Sequence, residues 1–202
     1  MKYSDEIQKL LPLGYIYLVV LGILKESCFY YQFGINILKY STIMDILISP
    51  IADFMSNPIT LVTILLIFTF HIYLPKILLK YNHKKSVQKL FKLKPTDELS
   101  EQEKTNYYNT LTLKLLASVL LYFFVGTGIG NGHFALERVK NDTAQYNSKL
   151  NYTTGESEQI FLLGCNSLYY FYIQKGTKII KITPLASIKN IESNLKTGFV
   201  SK

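Results

Sequence analysis

His71 is the residue whose type and setting most invite chemistry. It lies near the middle of Ile59–Leu79 (ITLVTILLIFTFHIYLPKILL), an otherwise apolar run. An ionisable group at such depth acts as a proton relay, a ligand or a contact between helices. A relay needs a second titratable group close by. No Asp or Glu falls between Ile59 and Leu79, or between Leu111 and Ile129. The balance favours a neutral imidazole hydrogen-bonded to a neighbouring helix, with Thr69 or Tyr15 as partner, and argues against proton-coupled transport.

The run Gly126-Thr127-Gly128-Ile129-Gly130 suggests two other chemistries. A phosphate-cradling loop needs a strand before it and a helix after it, and neither is expected here. A selectivity filter follows a short pore helix and precedes another span, whereas here a full span precedes and polar sequence follows. The expected role is helix termination, since glycine takes the left-handed cap conformation. Gly126 and Gly130 also form one G-x-x-x-G pair that permits close helix approach. His71, His83 and His133 fall in different elements with no metal-ligand spacing, so no metal is expected. Cys28 and Cys165 would share one side of a membrane, but nothing forces them into a disulfide. No nucleophile elbow, kinase set or buried carboxylate pair is present. The expectation is a protein that is not an enzyme and needs no cofactor.

Charge points elsewhere. The chain carries 22 basic against 14 acidic residues, a net charge of +8. Only Arg138 is an arginine, and base-reading proteins favour arginine for its bidentate fork, so a nucleic-acid partner is not expected. Lys76, Lys80, Lys84, Lys85, Lys89, Lys92 and Lys94 lie in one stretch without an acid among them, and the rest of the chain is nearly balanced. This pattern fits a cytoplasmic loop under the positive-inside rule. Around the lysines, Val87, Leu90, Phe91 and Leu93 repeat at helical spacing. Lys84, Lys85, Lys89 and Lys92 are therefore expected to bind anionic lipid headgroups from a basic amphipathic helix ended by Pro95.

The elements that position these residues are mostly membrane helices. Charged residues make up 18% of the 202, against about 25% in soluble domains, and the mean hydropathy is +0.16. Three spans are expected near 10–31, 59–79 and 111–129 within a helical domain over 1–130. Ser4 with Asp5 and Glu6 reads as the first helix start, and with no cleavage site the segment reads as a retained anchor. Lys25 is expected to snorkel, with Glu26 capping or pairing with it. Between Phe29 and Phe54, Thr42 and Asp45 form a capping box before a short helix expected to stop at Pro50. That segment reads as re-entrant or interfacial, with a fourth span as the alternative. Pro75 should loosen the end of the second span. Beyond the lysine loop, at 80–94, the charge turns acidic at Asp97, Glu98, Glu101 and Glu103. Ser100 and Glu103 make a second capping box opening one long helix through the third span.

Residues 131–202 read as a linker and a small antiparallel β meander. Gln159–Leu163, Ser167–Gln174 and Thr177–Thr183 are rich in β-branched and aromatic residues. Gly164-Cys165-Asn166 and Lys175-Gly176 read as turns, and Ile188 and Ile191 as a fourth strand or helical turn. Alternation places Tyr170 and Tyr172 on one face and Tyr169 and Phe171 on the other. One face must form the core; Tyr169 and Phe171 are candidates for a partner surface. Most of the 16 tyrosines, Tyr30 and Tyr108 among them, fall at expected membrane edges.

The fold class expected is an α-helical integral membrane protein with a small C-terminal β module. It would be multi-pass in a cell membrane, with the lysine loop cytoplasmic and the C-terminus outside. Lysine-rich, arginine-poor usage suggests a bacterial source. The expected function is non-enzymatic, acting through contacts as a sensor, scaffold or accessory subunit, with a protein partner at the β module. The polar set Thr63, Thr69, His71 and Ser118 suggests a homo-oligomer that buries it. An oligomeric ion channel or pore lined by Thr63, Thr69 and His71 is the alternative. A membrane component of a bacterial stress or phage-defence system is the third reading.

Overall fold

A computed structural model describes residues 2–93 and 99–193. The expected features at Lys94, Pro95, Asp97, Glu98 and Lys202 lie outside them. Among the described residues five α-helices precede five strands: α1 (Lys2–Tyr31), α2 (Ile43–Ser56), α3 (Pro58–Tyr81), α4 (Lys85–Phe91) and α5 (Glu101–Lys140), then β1 (Ser148–Tyr152), β2 (Ser157–Cys165), β3 (Tyr169–Gln174), β4 (Ile180–Pro184) and β5 (Ile188–Ser193). Leu11–Tyr31 of α1, all of α3 and α5 are long and apolar enough to cross a membrane. The 40-residue α5 is about 60 Å long, roughly twice a bilayer's hydrocarbon core.

Local chemistry sets most helix starts. The Thr42 hydroxyl accepts from the Asp45 N–H, and the Asp45 carboxylate accepts from the Thr42 N–H. Ser100 and Glu103 do the same before α5. Asn57 accepts from the Ile59 N–H, with Pro58 at the first helical position. The helix expected to stop at Pro50 does not stop there. α2 runs through Pro50 to Ser56, and α3 runs through Pro75 to Tyr81. The glycines expected to end the third span lie inside α5, which continues to Lys140.

The chain divides into two units: Met1–Pro50 with Val125–Lys202, and Ile51–Phe124. In the first unit the misread residues act as notches. A Cβ on Gly128 would collide with the Lys25 carbonyl oxygen. One on Gly132 would stand 2.6 Å from Gln32 Nε2 and 2.9 Å from the Phe29 oxygen. Gln32 Nε2 donates to the Ile129 carbonyl at 2.7 Å. These contacts advance together along both helices, so α1 and α5 run parallel there. The close pair is Gly128 with Gly132; Gly126 and Gly130, the pair expected from spacing, face open space. Pro50 has no N–H for the Ile46 carbonyl four residues earlier. That oxygen instead lies against Gly22 of α1, so close that any side chain there would collide with it.

The sheet belongs to the same unit, with strand order β4-β3-β2-β1-β5. All pairings are antiparallel. β1 through β4 form a meander. β5 crosses to the far edge and pairs with β1, an arrangement the sequence reading did not include. Neither was β1 expected; it falls in the stretch read as linker. Leu150, Ile160 and Tyr172 are fully buried on one face, with Tyr170, Ile188 and Ile191 packed around them. In the second unit, Leu74, Leu78 and Tyr108 form the core, and α4 lies on it through Val87 and Phe91. Later residues of α3 meet earlier residues of α5, so these two helices are antiparallel.

The notch at Gly128 gives a first prediction. Gly128→Val should lower stability in detergent by about 1–3 kcal/mol through overpacking against Lys25. Gly130→Ala, in open space, should be neutral or slightly stabilising because alanine is the better helix former. Paired thermal melts check both.

Candidate functional site

The richest assembly of side chains lies where the sheet meets the end of α1. Tyr30, in the last turn of the helix, is buried, and its ring centroid stands 5.0 Å from that of Phe171. Tyr40 meets Tyr169 edge-on at 5.6 Å and Phe171 at 6.0 Å. Phe33, Ile35 and Ile37 complete this core. Gly164 sits in β2 opposite Phe171, next to a bulge after Leu162. Any side chain at Gly164 would collide with the Tyr30 hydroxyl. The residue read as a turn is thus a notch that admits α1 to the sheet.

Polar bonds reinforce the junction from the loop side. Asp45 accepts from the Ser167 N–H at 3.1 Å and from its hydroxyl at 3.0 Å. Asn166 Nδ2 donates to the Tyr40 carbonyl at 3.0 Å. Asn166 Oδ1 accepts from the Leu168 and Tyr169 N–H groups, which shapes the β2–β3 turn. Slight burial pushes the Asp45 carboxyl up, but the hydrogen bonds from Thr42 and Ser167 outweigh it and hold the group below its ordinary value. One carboxylate therefore caps α2 and ties it to the sheet.

A second polar cluster lies deeper in α1. Lys25, expected to snorkel, is buried instead. Its Nζ donates to Glu26 Oε1 at 2.9 Å and to Ser49 Oγ at 2.8 Å. The Ser49 hydroxyl donates to the same Glu26 oxygen. The pairing of Lys25 with Glu26 agrees with the sequence reading; Ser49 was not foreseen.

The residues singled out as pore candidates do not converge. At about 100° per residue, Thr69 and His71 point to nearly opposite sides of α3, and Thr63 points to a third. Thr69 is exposed and His71 buried. Thr63 donates to the Ile59 carbonyl at 2.8 Å, and Ser118 to that of Lys114 at 3.0 Å. His71 Nδ1 is 2.8 Å from the Ile67 carbonyl. Thr63, Ser118 and the His71 Nδ1 thus each meet a carbonyl four residues earlier in their own helix.

The lysines keep their expected face. Lys84, Lys85, Lys89 and Lys92 are exposed. Lys85, Lys89 and Lys92 fall on the side of α4 opposite Val87 and Phe91. Lys84 Nζ stands 4.7 Å from the Tyr81 ring centroid. Leu90 departs from the apolar face and is 75% exposed. Helix α4 ends at Phe91 with Lys92 in the left-handed region, at φ 50°.

Phe171 is fully buried and Tyr169 half-buried, so the chain itself covers this face of the sheet. Alternation of Tyr170 and Tyr172 against Tyr169 and Phe171 is as expected. Tyr30 and Tyr108, read as membrane-edge residues, are core residues. On the other face the Tyr152, Tyr172 and Thr183 hydroxyls form a chain; burial and then the hydrogen bond with Tyr172 raise the Tyr152 pKa, against a smaller lowering by Thr183. Among the described residues no cluster of His, Cys, Asp or Glu could hold a metal ion, and both cysteines are free thiols. No family model, curated protein or solved structure matches the chain.

The Asp45 link has a pH signature. A carboxyl held below its ordinary value stabilises the fold fully above the ordinary carboxylate range, and that stabilisation is lost as pH falls through the lowered value. Hydrogen exchange at the Ser167 amide should therefore speed up in acid beyond the intrinsic rate change. Asp45→Asn should flatten that dependence, and Asp45→Ala should cost about 1–2 kcal/mol of stability.

Proposed function

We propose that this chain is a multi-pass membrane protein that works through contacts, its sheet acting as a docking or sensing module coupled to the spanning helices. The observation that carries this reading is the seating of the sheet on the end of α1, where Gly164 admits Tyr30 and Phe171 packs against it. A module tied only by a tether would be free to move. Here a load on β2 or β3 bears on α1, and through the Gly128–Gly132 seam on α5.

The apolar surface supports membrane residence. Leu13, Ile16, Ile59, Leu66, Ile72 and Leu113 are each more than half exposed, a surface suited to lipid and costly in water. The lysine face of α4 supports a cytoplasmic, anionic-lipid-facing side for the α3–α5 connection. The parallel run of α1 and α5 supports placing the C-terminal ends of both helices, and hence the sheet, on the other side.

Labelling with a membrane-impermeant maleimide tests the arrangement. Cys165 is exposed and should react in intact cells carrying Cys28→Ser. A cysteine placed by Lys85→Cys in a cysteine-free background should react only after permeabilisation. The reverse pattern would put the sheet in the cytoplasm and overturn the orientation. Labelling of both positions in a soluble fraction would overturn membrane residence itself.

A further inference from the structure

Within the second unit, a cavity of about 270 Å³ opens between α3 and α5. Its polar lining residues are His71, Asn109 and Thr112; Phe68, Leu113 and Leu116 are among its apolar walls. We propose that this cavity is a binding site for a small neutral amphiphile bearing a hydroxyl donor, of the alkylphenol or medium-chain alcohol class.

The chemistry of His71 sets the first requirement. Its Nδ1 faces the Ile67 carbonyl, which only accepts, so Nδ1 carries the proton. In the neutral ring Nε2 is then an acceptor, and it has no partner among the described residues. An occupant must supply an O–H or N–H to it. Pro75, also in the cavity wall, has no N–H to offer the His71 carbonyl four residues earlier. The Thr112 hydroxyl is buried with no partner among the described residues. Threonine in a helix uses two χ1 rotamers, so this hydroxyl can turn toward an occupant without giving up an existing bond.

Charge and size set the remaining requirements. No lysine, arginine, aspartate or glutamate lines the cavity, so a phosphate, carboxylate or ammonium head would be left unpaired. The volume is slightly below the roughly 300 Å³ at which drug-sized sites begin, so one ring or a short chain fills it. Ile72 and Leu113 at the rim are 69% and 60% exposed, an apolar entry from the side. If α3 and α5 lie in a bilayer, as proposed above, that entry opens to lipid and concentrates amphiphiles at the site.

The test uses the full chain in lipid nanodiscs with 4-butylphenol as probe and its methyl ether, 4-butylanisole, as the matched molecule without the donor. Failure of the chain to incorporate into nanodiscs would count against the membrane reading. Binding would then be measured on detergent-free protein, where the cavity's chemistry is unchanged. The readout is the side-chain nitrogen resonance of His71, assigned through His71→Phe among the three histidines. The phenol should shift Nε2 saturably, and the ether should bind at least tenfold more weakly. Thr112→Val, nearly isosteric, should weaken phenol binding several-fold, and Leu116→Trp should abolish it by filling the cavity. Equal binding of phenol and ether would overturn the donor requirement. The absence of a saturable shift with either molecule would overturn the site.

Discussion

Two helices can approach backbone to backbone only where side chains are absent, and α1 and α5 meet that condition at Gly128 and Gly132. The seam is narrow enough for Gln32 to reach the Ile129 carbonyl directly. Much of the first unit depends on this spacing. It brings Ala135 and Leu136 of α5 onto the cluster that surrounds Tyr30, and α5 leads on to the first strand. Glycine within a helix costs about 1 kcal/mol relative to alanine, so a run of four is retained against propensity. Two of the four occupy the contact. Gly126 and Gly130 face open space, and nothing in the structure explains them.

The same device recurs at two other points. Gly22 admits the carbonyl that Pro50 leaves without a helical donor, and Gly164 admits the Tyr30 hydroxyl. In each case the missing side chain on one element fits a polar group on another. Polar pairs of the first unit accompany these notches: Lys25 with Glu26 and Ser49, Asp45 with Thr42 and Ser167. An apolar helix therefore carries charge at depth without exposing it.

The long helices were legible because the evidence for them is local. A run of apolar residues, a capping box three residues wide and an Asn-Pro start all act within one or two turns. Helix ends were less legible. Glycine and proline are statistical stops, but neither forbids a helix when tertiary contacts take up the cost, and α5 and α2 both continue through them. The site was least legible. Asp45 and Ser167 are 122 residues apart, and nothing near Asp45 signals that a sheet will reach it. The role of Gly164 depends on Tyr30 in the same way. β1 escaped notice because SKLNY offers a single inward aliphatic, Leu150, in polar company. For His71, the expected hydrogen-bond partner was a neighbouring helix, whereas the ring nitrogen meets a carbonyl of its own helix.

The crossing of β5 to pair with β1 bears on how the chain is made. Strands β1 to β4 can zip as successive hairpins while they emerge during synthesis, each partner close behind the last. The β1 edge stays open until Ile188–Ser193 is available, and closing it joins residues about 40 apart. Loop-closure entropy makes such pairing slower than local hairpins. For that interval the nascent sheet presents a bare edge, at the stage when β-rich intermediates most readily pair with the wrong strand. Closing this edge is therefore a later event than forming the hairpins, governed by β5 rather than by the helices that precede the sheet.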